Sequence, residues 1–450
     1  MNAILQTLRR FTATLILGAA ALAGATAQTA VTYQPTSDNI EARKAFAERR
    51  FGIFIHWGIY ANYAQGEWYH ETAQLDADAY ARMMYGFCPS KFDAKEWVRT
   101  FKQAGAKYVT ITSRHHDGFS LWPTKADDGF NIANTPFRRD ILGELAAACK
   151  EEGLQLNFYY SLMDWHRKDY PTGRQRGARK LLKDKAENYA SYKKFMMDQI
   201  AELIDGYHPG NIWFDGEWDH DPKCSDIANP MDWEFDDIYD LIHSKGALVA
   251  NNHHHALRDK EDIQLFERDL PGENTTGFSA DKTVARERPH EQCDVIQNGV
   301  WGYRIGETRF RTPEDVVAMV ARAAAKDSNL LMNIGPDGSG QLPAQAVETM
   351  AKVGEWFAKN GESIYGTSAA GIPTGKDIVA TRKGNVLYLH FLEPSVRTFA
   401  FKLNGTVASA KCLACGTDVP VERTASGDAV VTINRPKDCK FDIVVKLLIK

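Results

Sequence analysis

The chain has 450 residues, 44% of them hydrophobic and 25% charged, with a formal net charge of -4. These values suit a globular protein, and the length calls for a large domain with a smaller one appended. The near-neutral balance, with no basic block able to track phosphates, argues against nucleic acid as a partner.

Arg9 and Arg10 precede an apolar stretch from Phe11 to Leu22, and Ala25-Thr26-Ala27 gives a small-x-small cleavage pattern before Gln28. Residues 1–27 therefore read as a signal peptide, and the mature chain is expected in the periplasm or outside the cell. The apolar stretch is shorter than the about twenty residues a membrane span needs, so no membrane attachment is expected after cleavage. No cysteine lies near the cleavage point to carry a lipid.

After this leader the pattern alternates between helix and strand. Asn39 to Arg50 reads as a helix leading to the hydrophobic strand Phe51 to Gly58. Lys95 to Ala104 leads to Lys107 to Thr112, which runs into Ser113-Arg114-His115-His116-Asp117-Gly118-Phe119. Asp140 to Glu152 leads to Leu154 to Ser161, and Glu187 to Tyr207 leads to Ile212-Trp213-Phe214, which ends in Asp215. Trp233 to Lys245 leads to Ala247 to Asn252 and then His253-His254-His255. Periodicity fades between Gln264 and Trp301, which reads as a long functional loop region. It returns with the helix Pro313 to Lys326, the strand Leu330 to Gly335 and the helix Ala344 to Lys359. The alternation predicts an α/β fold with a closed (β/α)8-like barrel over residues 28–366. No G-x-G-x-x-G follows the first strand, so a dinucleotide fold lacks its usual mark.

From about Ser368 the runs become short and alternating: Asp377 to Arg382, Val386 to Phe391, Thr398 to Leu403, Val430 to Ile433 and Phe441 to Leu447. Residues 367–450 are expected to form an antiparallel β-sandwich. Seven cysteines are scattered singly except for Cys412-Leu413-Ala414-Cys415, and the odd count leaves at least one thiol unpaired. That lone C-x-x-C has no second pair to complete a zinc site, so a structural role is favoured.

In a parallel barrel the C-terminal strand tips converge on the catalytic face. Here those tips repeat one theme: His56, then Glu67-Trp68-Tyr69 in the following loop, His115-His116-Asp117, Tyr159-Tyr160, Asp215, and Asn251 to His255. Two chemistries could use such a ring. Metal hydrolysis would recruit His115, His116, Asp117, His253 and His254. Against it, adjacent histidines on an extended strand point to opposite faces, and no H-E-x-x-H is present. Glycoside hydrolysis needs two carboxyl groups, polar groups for sugar hydroxyls and aromatic platforms. Asp215 between Trp213 and Trp218 fits that need.

Phe51-Gly52-Ile53-Phe54-Ile55-His56-Trp57-Gly58, Glu67-Trp68-Tyr69, His115-His116-Asp117-Gly118-Phe119, Tyr159-Tyr160-Ser161, Trp213-Phe214-Asp215-Gly216, Trp301-Gly302-Tyr303 and Leu331-Met332-Asn333-Ile334-Gly335-Pro336 together resemble the α-L-fucosidases of glycoside hydrolase family 29. The resemblance runs from about residue 35 to residue 366. It implies retention of anomeric configuration by a two-step displacement, terminal α-L-fucosyl linkages of oligosaccharides or glycoconjugates as substrate, and no metal or other cofactor. It makes Asp215 the nucleophile, and His56, Glu67, Trp68, His115, His116, Tyr160, Trp213 and Trp301 the fucose-binding positions. For the acid/base the loop offers Glu267, Glu273, Glu287 and Glu291; Glu273 is the choice by resemblance and Glu291 the runner-up. Many relatives carry Asn-Asp-Arg at the fifth strand end, where this chain has Asn251-Asn252-His253. His253, Arg268 or Arg304 could supply the missing contact. A fucose-binding protein on a decayed barrel is the rival from outside enzymology.

Overall fold

The computed structural model describes residues 33–126, 129–171, 173, 185–220, 230–252, 256–278, 283–436 and 441–450. The signal peptide expected at residues 1–27 and the His253-His254-His255 run lie outside the described residues. Eight parallel strands build the first sheet: β1 Phe51–Ile55, β2 Tyr108–Arg114, β3 Gln155–Ser161, β4 Asn211–Asp215, β5 Leu248–Asn251, β6 Gln264–Glu267, β7 His290–Val295 and β8 Ser328–Ile334. Their order is β5-β4-β3-β2-β1-β8-β7-β6, and a parallel bridge between Ala250 and Ile263 brings the two edges together into a nearly closed barrel.

The covering helices begin where the sequence supplies caps. Asp93, Asp140 and Asn188 each accept a backbone N–H of the first turn, at Glu96, Gly143 and Ser191. Thr312 and Asp315 form a reciprocal capping box, with Pro313 as the first helical residue. The helices Ala94–Gln103, Ile141–Glu152 and Tyr189–Tyr207 then bury their apolar faces against the outside of the sheet.

Both sheet faces are buried, so hydrophobicity alone does not say which residues point into the barrel. Strand register does. Tyr159 pairs with Trp213, and two residues on Ser161 pairs with Asp215. The interior set is therefore Phe54, Tyr108, Tyr159, Trp213, Ala250, Leu265, Cys293 and Leu331, which pack as one cluster. Phe46, from the helix Ser37–Glu48, packs against this set, and Arg43 of the same helix is bonded to the buried Asp262.

The segment expected as loop from Gln264 to Trp301 contains β6 and β7. Polar sequence hid β7: His290, Gln292 and Asp294 alternate with the inward Glu291 and Cys293, and Arg311 neutralises Asp294 at 2.9 Å.

From Ser368 the strands pair antiparallel, in a five-stranded sheet and a three-stranded sheet that share an apolar core around Leu389, Phe391, Phe401 and Val431. The strands Val407–Cys412 and Val421–Arg423 were not expected from the sequence. Thr381 Oγ1 donates to the Ser363 carbonyl at 2.6 Å, which ties this part of the chain to the end of the barrel's last helix.

Candidate active site

Asp215 ends β4 with its side chain inside the barrel mouth. Gly216 follows with φ of 92°, where a side chain would meet the Met163 Cβ at 3.0 Å, so glycine lets the chain turn away at once. Tyr159 Oη donates to Asp215 Oδ2 at 2.9 Å and Asn252 Nδ2 donates to Oδ1 at 3.2 Å. The Gly216 N–H and the Trp218 side chain complete the donor set. Burial pushes the Asp215 carboxyl up to about 6, while these donors hold it down.

Glu267 ends β6 across the mouth. The same Asn252 Nδ2 donates to its Oε2 at 3.0 Å. One amide nitrogen bonded to both oxygens keeps them within about 6 Å of each other, below the ~6.5–9.5 Å of carboxyl pairs that act by inversion. Burial first, and the neighbouring Asp215 second, push Glu267 up to about 7. The two carboxyls thus differ in proton affinity while sharing one cavity, the arrangement that separates an acid from a nucleophile.

That cavity measures about 520 Å3, a size suited to a single sugar ring and the start of its substituent. Its walls include Trp68, Trp213, Trp218 and Trp301. The indole of Trp68 stacks on that of Trp218 at 5.7 Å and 23°. His56, His115 and His116 also line it. Adjacent histidines were expected on opposite faces, yet both His115 and His116 reach the cavity. The register slips between Thr112 and Arg114, Arg114 turns outward to the buried Asp164, and the two histidines fall on the turn beyond the strand.

The hydrogen bonds assign the histidine tautomers. Asn333 Nδ2 donates to the Trp301 carbonyl at 2.6 Å, so its Oδ1 accepts from His56 Nδ1 at 2.7 Å. Burial pushes His56 down to about 3, which leaves Nε2 unprotonated. Ser161 Oγ donates to the Met163 carbonyl at 2.6 Å and therefore accepts from His116 Nδ1 at 2.7 Å. His116 is also held well below its usual range by burial, and its Nε2 lies 3.5 Å from Asp215 Oδ2. Two ring nitrogens are thus ready to accept from hydroxyl groups. Glu67 is fixed by the Gly302 N–H at 2.7 Å, and burial raises its carboxyl.

Several expected positions stand elsewhere. Tyr160 faces outward, where its Oη donates to Gln199 at 2.8 Å and its ring lies under the Arg114 guanidinium; Tyr159 takes the inward place. Glu273 lies on the loop after β6, half-buried and outside the cavity lining. Glu287 is exposed. Glu291 lies on β7 in the layer beneath the cavity, where Tyr108 Oη at 2.6 Å and Trp213 Nε1 at 2.9 Å both donate to it. His253 is outside the described residues. Arg304 is absent from the lining, whereas Arg268 is present, with its guanidinium over the Trp301 ring at 5.2 Å and its backbone at φ of 59°.

Glu267, Asn252, Tyr159 and Arg268 are the groups that sequence reasoning passed over or left undecided. For Glu267 a signal existed: Ile263-Gln264-Leu265-Phe266 ends in a carboxylate before a Pro-Gly turn, the same form that marked Asp215. Among the described residues no three of His, Cys, Asp and Glu converge as a metal site. A second cavity of about 680 Å3 lies behind Glu217, whose carboxylate is ion-paired to Arg258.

The family model described as alpha-L-fucosidase matches residues 20–362. A tissue alpha-L-fucosidase of Homo sapiens is 27% identical over 389 residues, covering 80% of this chain and 78% of its own length. An alpha-L-fucosidase isoenzyme of Paenibacillus thiaminolyticus superposes with a TM-score of 0.79 at 29% identity, over 92% of this chain and 100% of that one. A family 29 alpha-L-fucosidase of Bacteroides thetaiotaomicron, solved as a trapped covalent intermediate with 2-fluoro-fucosyl fluoride in a glutamate-to-glutamine variant, gives a TM-score of 0.78 at 26% identity, over 94% and 98%.

Proposed function

The chain belongs to the alpha-L-fucosidase family, glycoside hydrolase family 29, and from that premise we propose that it is an exported, retaining exo-α-L-fucosidase in which Asp215 is the nucleophile and Glu267 the acid/base. The observation that carries this reading is the Asn252 amide bonded to both carboxyls at the mouth of the barrel. Glu267 replaces Glu273 in the role because it lines the cavity and Glu273 does not.

In the first step the Asp215 carboxylate attacks the anomeric carbon while protonated Glu267 gives its proton to the departing glycosidic oxygen. In the second, Glu267 takes a proton from water, which attacks the same carbon and restores Asp215. The Bacteroides relative's trapped covalent intermediate supports the two-step course. The floor supports a terminal sugar: Trp213, Glu291 and Tyr108 are bonded together below the cavity, where a continuing chain would have to pass. The unprotonated Nε2 atoms of His56 and His116 accept from sugar hydroxyls, and Trp301 offers a flat apolar face. Arg268, seated over that ring beside Glu267, is the cation of the lining and supplies charge near the developing alkoxide.

The test is hydrolysis of 4-nitrophenyl α-L-fucopyranoside followed by proton NMR. α-Fucose as the first-formed sugar supports retention; β-fucose overturns it. N-terminal sequencing of the exported protein should begin at Gln28; a mature protein that retains residues 1–27 overturns export by cleavage.

A further inference from the structure

The C-x-x-C pair is the one sequence motif that the fucosidase reading leaves unused. It sits on a chain reversal after the strand Val407–Cys412, which pairs with Ile443–Ile449. The Gly416 N–H donates to the Cys412 carbonyl at 2.8 Å and the Cys412 N–H to the Thr417 carbonyl at 2.9 Å. Gly416 has φ of 72°, which a glycine adopts freely, and this closes the turn tightly. A reversal of that kind brings residues three apart within about 7 Å, which overlaps the ~4.4–6.8 Å between Cα atoms that a disulfide spans. The two thiols influence each other's ionisation, Cys412 upward and Cys415 downward. Cys415 is exposed and also bonds the Thr417 hydroxyl at 3.1 Å, while Cys412 is half-buried behind it. Of the other described cysteines, Cys149 and Cys293 are buried, and Cys88 is exposed on a different part of the chain.

We propose that Cys412 and Cys415 are a reversible dithiol that closes to an intrachain disulfide on meeting a disulfide oxidant, with Cys415 as the entering thiolate and Cys412 as the resolving thiol. Cys415 loses its proton to water and attacks one sulfur of the oxidant, breaking its S–S bond and releasing one thiolate. Cys412 then loses its proton and attacks the Cys415 sulfur, which expels the second thiolate. Two electrons pass to the oxidant and two protons to solvent. The neighbouring Cys412 and the Thr417 hydroxyl hold the Cys415 thiol below its usual range, which favours it for the first attack. An exported chain meets such oxidants in the compartment it enters. No described residue of this turn lines the Asp215 cavity, so catalysis is independent of the redox state.

Peptide mass spectrometry of the full chain tests this directly. Cleavage after Lys411 and Arg423 releases residues 412–423 with both cysteines. After oxidised glutathione the peptide should resist alkylation and weigh about 2 Da less than its dithiol form, and after dithiothreitol it should take two alkyl groups. Cys412→Ser should trap glutathione on Cys415, and Cys415→Ser should abolish oxidation; fucoside hydrolysis should be unchanged in both. Full alkylation of both cysteines after oxidised glutathione would overturn the proposal. So would a wild-type chain that stops at the glutathione adduct, or a Cys412→Ser chain that traps none.

Discussion

The barrel mouth and the layer directly beneath it each hold a desolvated glutamate, Glu267 above and Glu291 below, and burial pushes both up to about 7. Their surroundings differ. Glu291 receives Tyr108 and Trp213 on its two oxygens and is 1% exposed. Glu267 shares the Asn252 amide with Asp215 and opens on a cavity with room for a sugar. A raised pKa is therefore common to both layers, and access together with a partner carboxyl separates a group that can do chemistry from one that fixes a wall.

The comparison breaks most severely if the mouth loses its nucleophile. Asp215→Ala should lower kcat on 4-nitrophenyl α-L-fucopyranoside by on the order of 10³-fold or more, with the fold intact by circular dichroism. Asp215→Ala activity within tenfold of wild type would remove the nucleophile assignment.

Tyr159→Phe and Tyr160→Phe sharpen the contrast between inward and outward residues. Loss of the bond to Asp215 should cost Tyr159→Phe roughly 10- to 100-fold in kcat/KM, the worth of a hydrogen bond to a charged group. Tyr160→Phe removes the bond to Gln199 and the hydroxyl's interaction with Arg114, both outside the barrel, so its kinetics should stay near wild type while its Tm falls by a few degrees, as expected for about 1 kcal/mol.

The pH profile separates the two mouth carboxyls. Below about 6 Asp215 takes up a proton and cannot attack, and above about 7 Glu267 loses the proton it must donate. A bell in kcat/KM with its maximum between these limbs is expected, and Glu267→Gln should remove the alkaline limb.

The floor affects stability and not turnover. Glu291 binds its proton more tightly folded than unfolded, so between about 4.5 and about 7 the native state holds more protons and stability falls as pH rises. The full contribution is up to about 3 kcal/mol. Glu291→Gln should flatten the decline of Tm across that interval, and an unchanged slope would show that another group carries it.

How far the sequence revealed this depended on where polarity was placed. Ile53-Phe54-Ile55, Val109 to Ile111 and Ile212-Trp213-Phe214 are apolar runs, and each marks a strand. β7 is His290-Glu291-Gln292-Cys293-Asp294-Val295, with buried polar groups whose partners Tyr108, Trp213 and Arg311 come from distant elements. Such a strand has no local signature. The exchange of Tyr160 for Tyr159 has a similar origin: on a strand buried on both faces, side-chain direction follows from pairing with Trp213, which one sequence does not display. Asp215, His56, Glu67 and the tryptophans were legible because each ends a run or breaks a loop with an aromatic pair.

The pairing of Asp215 with Glu267 is tested most directly by azide rescue of two alanine variants on an activated fucoside. Glu267→Ala should lose about 10²- to 10⁴-fold in turnover of poor leaving groups and much less on 4-nitrophenyl α-L-fucopyranoside. Azide should then restore its rate and yield fucosyl azide of retained configuration, while Glu273→Ala stays near wild type throughout. Rescue of Glu273→Ala instead, with Glu267→Ala insensitive to azide, would contradict the assignment.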